Sequence, residues 1–154
     1  MFAAQLFIFF GALISIASGT CFSKSHRPPT GSGDLIAWPA LNEREAAREA
    51  AVLVSHYMPS TFRPHASYGR CVQLKTQKPG AKGASVLFAY FEIGLVSDEI
   101  RSIGPREAAD GLLKEITGCE NGGDSQYEHW RYLAYPLYDC PVLIGGLTPS
   151  NRDY

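Results

Sequence analysis

The feature that most constrains this chain is an even number of cysteines behind an apolar N-terminal run. The run, residues 2–17, is shorter than the ~20 apolar residues of a membrane span and has the length of a signal peptide's apolar region. Ala17 and Gly19 provide the small residues of a cleavage site before Thr20, so residues 1–19 are predicted to be a secretory signal peptide. In a secreted, extracellular chain an even count indicates disulfide bonds, here among Cys21, Cys71, Cys119 and Cys140.

Size and charge narrow the class of protein further. Removal of the signal peptide leaves about 135 residues, the size of a single domain with its own core. The net charge is −1, so the chain lacks the basic surface that attracts nucleic acids or anionic membranes. No CxxC or HxxxH spacing occurs, so neither a metal nor a cofactor is predicted. We expect a monomer that binds a protein or glycan partner and has no membrane span after signal cleavage.

The residues after the signal peptide divide into an irregular arm and one folded domain. The arm, residues 20–40, is rich in proline, glycine and serine. The domain, residues 41–154, begins with a predicted helix. Asn42 is its predicted N-cap, and Glu45, three residues later, completes a capping box. Pro59 is predicted to end the helix, because the residue before a proline avoids helical geometry. Apolar residues at helical spacing predict its buried stripe, which is Ala46, Ala50, Leu53, Val54 and Tyr57.

Two predicted strands follow this helix. Gly69 permits a bend, after which residues 71–75 alternate so that Val72 and Leu74 face the core. Residues 76–83 have the composition of a hairpin connection. Residues 84–94 are apolar on both faces almost to their end, which predicts a central strand.

A second helix and a further strand come next. Pro105 suits the first helical turn and Gly118 suits the C-terminal cap, which places Cys119 just beyond the helix. Residues 127–135 predict a strand that Pro136 either limits to the edge of the sheet or ends, because proline cannot donate a hydrogen bond to a neighbouring strand. The predicted buried stripe of the helix is Ala108, Ala109, Leu112, Leu113 and Ile116.

The order of these elements predicts the fold class. With a last short strand in residues 140–149, the pattern indicates an α+β fold: two helices packed on an antiparallel sheet of three to five strands, stapled by disulfides. Sequence alone permits three pairings of the cysteines. We favour Cys71–Cys119, which would join a strand start to a helix end, and Cys21–Cys140, which would tie the arm to the C-terminal segment.

Residues suited to acid–base catalysis occur in the stretch "YEHWRY". Glu128, His129 and Arg131 supply the residue types of a ribonuclease, namely a general base, a general acid and an arginine for the phosphate. On a strand Glu128 and His129 would point to opposite faces, so His65 is a candidate partner from another segment. A glycosidase pair among Glu92, Asp98 and Glu99 is a further possibility, although such clusters are commonly solvated loop ends.

The same stretch is unusually aromatic. A surface patch for a protein or glycan partner is one interpretation of Tyr127, Trp130, Tyr132, Tyr135 and Tyr138. The other interpretation is that Trp130 and Tyr132, two residues apart, simply form the inward face of a strand. Both remain open from the sequence.

Three segments carry a resemblance to a known class of proteins: "LNEREAAREAAVLVSHYMP", "FRPHASYGRCVQLK" and "EAADGLLKEITGCENGG". A helix ends near a proline, Gly69-Arg70-Cys71 opens a strand, and a later helix ends at Cys119 before the Gly122-Gly123 turn. Over about residues 40–145 the chain resembles small cysteine-containing secreted proteins of filamentous fungi, and is loosely similar to necrosis-inducing effectors and killer-toxin-like proteins. Unlike the necrosis-inducing effectors, it has no cysteine in the first helix.

The resemblance implies an effector-like protein that binds a host or microbial partner without catalytic chemistry of its own. It carries over no catalytic residue, because the class has no shared catalytic motif. The alternative expectation is a small secreted hydrolase, ribonuclease-like, that uses His129 with His65 or Glu128. The two expectations differ in whether these side chains meet in one cleft.

Overall fold

The computed structural model describes residues 18–23, 25, 27–28, 36–38, 41–74, 87–138 and 140. The predicted apolar run (2–17), the hairpin connection (76–83) and the strand expected after Cys140 lie outside these residues. The elements in chain order are β1 (Ser18–Cys21), α1 (Leu41–Ser55), β2 (Thr61–Phe62), β3 (Ser67–Gln73), β4 (Phe88–Leu95), β5 (Arg101–Ser102), α2 (Pro105–Gly118), β6 (Gly123–Tyr127) and β7 (Trp130–Leu137).

Five of the strands form one antiparallel sheet in the order β1-β6-β7-β4-β3, and β2 pairs with β5 in a small second sheet. Both helices pack on one face of the larger sheet and enclose the main hydrophobic core. A second apolar cluster, built around Tyr90 and Tyr135, lies on the opposite face. The predicted α+β class, with two helices on an antiparallel sheet and disulfide staples, is confirmed.

The first described residues already form a β-strand. The strand β1 pairs with β6 from Ser18, opposite Gln126, to Cys21, opposite Gly123. It therefore spans the position before Thr20 at which the signal peptide is predicted to end. The irregular arm predicted from residue 20 begins with two strand residues.

The buried face of α1 is rotated from the predicted one. Leu53 and Tyr57, which were predicted to be buried, are 55% and 59% exposed. The helix instead meets α2 through small side chains, because alanines let two helix backbones approach closely. The larger side chains are left outside, where the guanidinium of Arg70 lies 5.5 Å from the centre of the Tyr57 ring. The buried residues are Ala47, Ala50, Ala51, Val54 and Met58.

The strand that contains Cys71 is longer than predicted. β3 begins at Ser67, so Gly69 lies inside the strand rather than at a bend before it. A Cβ atom at Gly69 would lie only 2.1 Å from the Tyr90 hydroxyl oxygen, so glycine permits a close approach of that side chain. Val72 and Leu74 pack with the core under the helices, as predicted.

The predicted strand over residues 127–135, limited to the sheet edge or ended by Pro136, is wrong: this region belongs to a hairpin of two strands. Glu128 and His129 form its two-residue loop, and β7 lies between β6 and β4 in the middle of the sheet. Pro136 is tolerated because β6 begins only at Gly123, opposite Ala134. At Pro136 the strand has β4 as its single neighbour, so no hydrogen bond to β6 is lost.

All four cysteines form disulfides, as predicted, but the favoured pairing is wrong. The bonds join Cys21 to Cys119 and Cys71 to Cys140, with Cα atoms 5.2 Å and 6.0 Å apart. The predicted pairing fails because Cys71 and Cys119 lie on opposite faces of the sheet. Cys71 packs with the cluster on the face opposite the helices, so it cannot reach Cys119 at the end of α2. Cys21 lies opposite Gly123, whose position points toward α2 and whose missing side chain leaves room for the Cys119 sulfur.

Candidate binding cleft

An open cleft of about 680 Å³ lies between α2 and the β6–β7 hairpin. This volume is within the range of pockets that hold small molecules or inserted side chains. We refer to it as the α2–hairpin cleft. It is lined by Gly104, Arg106, Glu107, Asp110, Gly111, Lys114, Tyr127, Glu128, Trp130 and Tyr132.

The strand register brings three aromatic side chains into the cleft. Tyr127 lies directly opposite Trp130 across the hairpin, and Tyr132 is two residues further on the same face. Trp130 and Tyr132 are 5% and 3% exposed, so each forms part of the core as well as the cleft wall. The two interpretations of this aromatic stretch, a binding patch and an inward strand face, therefore both describe part of it.

The remaining members of the predicted aromatic patch lie elsewhere. Tyr135 is on the opposite face of the sheet, where it is buried against Phe22 and Tyr90. Tyr138 follows the end of β7 and is exposed. The patch is thus divided because residues 130 and 132 share one face of β7, whereas residue 135 points to the other.

A glycine on α2 determines how closely the helix approaches the cleft wall. A Cβ atom at Gly111 would lie 2.1 Å from Cε1 of Tyr132, so the ring occupies the space that any other side chain would need. The Tyr132 ring consequently packs against the helix at Gly111, and the residue also lines the cleft. The cost of glycine within a helix is offset here by close helix–sheet packing.

The rim of the cleft is charged. Helix α2 contributes Arg106, Glu107, Asp110 and Lys114, and the hairpin loop contributes Glu128. The Lys114 ammonium lies 4.2 Å from the centre of the Tyr127 ring, which is a cation–π contact. Burial, and then the negative charges of Glu107, Asp110 and Glu128, raise the pKa of the Tyr132 hydroxyl.

A buried acid lies directly behind the cleft, and the sequence interpretation missed it. Glu115 on α2 is 1% exposed and accepts hydrogen bonds from Ser125 Oγ at 2.8 Å and from the Tyr127 hydroxyl at 3.3 Å. Burial is the main cause that raises the pKa of the Glu115 carboxyl. It also raises the pKa of the Tyr127 hydroxyl. The available signal was helical spacing, since residue 115 falls between Leu112 and Ile116 on the buried side.

The Glu115→Gln variant is expected to reveal this carboxyl in the pH dependence of stability. A raised pKa in the folded state means that folding favours the protonated acid. This contribution to the free energy of unfolding is fully present below the pKa of the carboxyl in the unfolded chain, about 4.5. It is lost as the pH rises through the pKa of the carboxyl in the folded protein. The stability of the wild type relative to Glu115→Gln should therefore fall from acidic to neutral pH, measured by urea unfolding. Glu49→Gln, at an exposed site on α1, is the control; a difference that grows toward neutral pH would contradict the prediction.

The candidate catalytic arginine, Arg131, forms ion pairs on the face of the sheet opposite the cleft. Arg131 donates to Asp124 through Nε, at 2.7 Å, and through Nη2, and its Nη1 lies 3.8 Å from Glu92 Oε1. Glu92 is buried and also accepts a hydrogen bond from the Tyr90 hydroxyl at 2.7 Å. Residue 131 alternates with Trp130 and Tyr132, so its side chain points away from the α2–hairpin cleft.

The candidate histidines lie near one end of the sheet without meeting. His65 Nε2 lies 2.8 Å from Asp98 Oδ1 in an exposed pair. The His129 carbonyl accepts a hydrogen bond from the Val96 N–H just after β4. The strands β3 and β7 flank β4, so their backbones are about 10 Å apart. In the part of the chain that the structure describes, the His129 ring makes no hydrogen bond to His65 or Glu128.

The predicted carboxylate pair for glycoside hydrolysis is also dispersed. Glu92 is buried on the face opposite the helices, Asp98 contacts His65, and Glu99 accepts a hydrogen bond from Arg101 at 3.1 Å. Each acid therefore has a structural partner of its own. The side chains named for the two hydrolytic mechanisms do not form one site among the described residues.

Comparisons of the chain with protein families, with curated proteins and with solved structures give no match. Within residues 18–23, 25, 27–28, 36–38, 41–74, 87–138 and 140, no group of three or more His, Cys, Asp or Glu side chains is arranged to hold a metal ion. Across the same residues, neither helix is long and apolar enough to cross a membrane.

Proposed function

We propose that this protein is a secreted effector-like protein that binds a partner protein through the α2–hairpin cleft and has no catalytic chemistry of its own. The observation that carries the proposal is the cleft itself. It has aromatic side chains in its wall and a charged rim that is open to solvent. Aromatic residues with a polar rim are typical of protein-binding surfaces.

Two further features support the extracellular part of the proposal. Both disulfides close long loops, with sequence separations of 98 and 69 between the paired cysteines, and such bonds persist in oxidising compartments. The apolar N-terminal run has the length of a signal peptide. The resemblance to small secreted fungal proteins agrees with both features.

The dispersed catalytic candidates favour binding over hydrolysis. General acid–base catalysis needs donor and acceptor groups within hydrogen-bond reach of one substrate atom. Here His65 pairs with Asp98, and Arg131 pairs with Asp124 on the far face. The ribonuclease-like alternative would therefore require His65 and Arg131 to leave their present partners.

A substitution that fills the cleft without disturbing the fold tests the proposal. Gly104 lines the cleft, and a Cβ atom there would meet nothing within 4 Å. Gly118, at the other end of α2, is equally open and lies outside the cleft lining. We expect Gly104→Trp to abolish partner binding and Gly118→Trp to leave it unchanged. The measurement is capture from extracellular fluid by the immobilised, disulfide-bonded protein, followed by titration of each captured partner after purification.

The competing function, RNA hydrolysis, is tested with the wild type and a His129→Ala variant. Incubation of the wild type with RNA should release no fragments, and His129→Ala should behave identically. If Gly104→Trp still binds the partner, the binding site lies outside the cleft. RNA cleavage that is lost in His129→Ala would favour the hydrolase alternative.

A further inference from the structure

We propose that the α2–hairpin cleft receives an arginine side chain of the partner protein, held between the carboxylates of Glu107, Asp110 and Glu128 against the Tyr132 hydroxyl. This inference rests on the proposed function and names the chemistry that the cleft recognises.

The carboxylates of the rim are unpaired. Glu107 and Asp110 are three residues apart on α2 and so share one helix face, and Glu128 faces them from the hairpin loop. None of the three makes an ion pair or a side-chain hydrogen bond within the described part of the chain. With Arg106 and Lys114 the rim carries three negative and two positive charges. An added cation would therefore find carboxylate partners that no residue of this chain occupies.

The Tyr132 hydroxyl gives an independent indication of a ligand. The residue is 3% exposed, yet its hydroxyl has no hydrogen-bond partner among the described residues and its side chain lines the cleft. The hydroxyl oxygen itself is reached by solvent, because Trp38 Nε1 is the one enclosed side-chain atom without a partner in the described part of the chain. The Tyr132 hydroxyl is therefore open to a group that enters the cleft. The negative charges that raise the pKa of this hydroxyl come from the same three carboxylates. A donor that enters the cleft would satisfy the hydroxyl oxygen and the carboxylates together.

The aromatic wall favours a guanidinium among the possible cations. The contact between Lys114 and Tyr127 demonstrates that a cation is accommodated on an aromatic face of this cleft. A guanidinium is planar, stacks on aromatic rings and carries five N–H donors, whereas an ammonium carries three donors in a compact, strongly hydrated group. Several carboxylate acceptors beside the aromatic rings of the cleft match the guanidinium better.

The test compares three short peptides that differ at one central residue: arginine, its neutral isostere citrulline, and lysine. Each is titrated into the full disulfide-bonded protein, with the indole N–H signals of Trp130 and Trp38 followed by NMR. We expect the arginine peptide to shift Trp130, which lines the cleft, and to leave the core residue Trp38 unchanged. Affinity should fall at least tenfold with citrulline, fall severalfold with lysine, and weaken as salt is added.

Variants assign the effect to the proposed groups. Asp110→Asn is expected to weaken binding of the arginine peptide about tenfold, the change that removal of one charge-assisted contact typically produces. Glu49→Gln on α1 should have no effect. Tyr132→Phe should weaken arginine binding severalfold and reduce the difference between arginine and citrulline, provided that its NMR spectrum retains the dispersion of the wild type.

The outcomes separate this inference from the proposed function. Equal affinity for arginine and citrulline, or for arginine and lysine, overturns the arginine assignment. If the purified partner still binds and Gly104→Trp still blocks it in that case, the cleft remains the binding site and only its chemistry is reassigned. If Gly104→Trp has no effect on the partner, the proposed function fails as well.

Discussion

Replacing Gly111 with alanine is expected to destabilise the protein by about 2–3 kcal/mol, although alanine is the better helix former. The added methyl group would lie 2.1–2.3 Å from three atoms of the Tyr132 ring. The ring is 3% exposed and packed against the core, so it cannot move aside cheaply. Overpacking therefore outweighs the gain of about 1 kcal/mol in helix propensity. Urea unfolding of the disulfide-bonded protein measures the difference.

The same helix offers a matched control for this prediction. Gly118→Ala places a methyl group where nothing lies within 4 Å, so its effect should be within about 1 kcal/mol of neutral. In the Tyr132→Leu background, Gly111→Ala should cost much less than in the wild type, because the atoms that clash are absent. A cost that is unchanged in this background would mean that Tyr132 does not set the helix–sheet distance.

The elements with strong local signals were predictable from the sequence. Pro105 begins α2 as expected, because its fixed backbone angle suits the first helical position. Cys119 lies just beyond the helix as predicted, although the C-cap is Cys119 itself, in an extended conformation, and Gly118 is the last helical residue. The continuous apolar run before Gly94 predicts a central strand, and β4 does lie between β7 and β3. These signals need no knowledge of distant parts of the chain.

The hairpin was missed because its loop lacks the usual turn residues. Glu128 adopts the left-handed region, with φ of 54°, where glycine or asparagine is the common choice. Without that signal, "YEHWRYLAY" looks like one strand. The histidine candidate His65 also has positive φ, 56°, in the turn before β3.

The candidate site was only partly predictable. Its aromatic wall follows from strand alternation, which is local. Its acids do not, because Glu107 and Asp110 look like ordinary solvated positions of a helix until the hairpin is placed beside them. Glu115 was overlooked for the opposite reason: a carboxylate in a helix suggests exposure, whereas Ser125 and Tyr127 stabilise it in the interior.

Removal of the Cys21–Cys119 disulfide by a double alanine substitution is expected to cost about 4–5 kcal/mol. The bond closes a loop of 98 residues, and the loss of chain entropy in the unfolded state grows with loop length. The cysteines join β1, at the edge of the sheet, to the end of α2. If the chain is cleaved before Thr20, β1 keeps only Thr20 and Cys21, so the disulfide becomes its main attachment.

The Cys71–Cys140 bond closes a loop of 69 residues, and its removal should lower the free energy of unfolding in urea by nearly as much.

Hydrogen exchange distinguishes the loss of one disulfide from the loss of the other. Loss of the Cys21–Cys119 bond should expose the amides of β1 and of its neighbour β6 first, because β1 pairs only with β6. Loss of the Cys71–Cys140 bond should affect the opposite edge, at β3. Peptide mapping without reductant that joined Cys71 to Cys119 would contradict the pairing, and equal exchange at both edges in both variants would contradict their local roles.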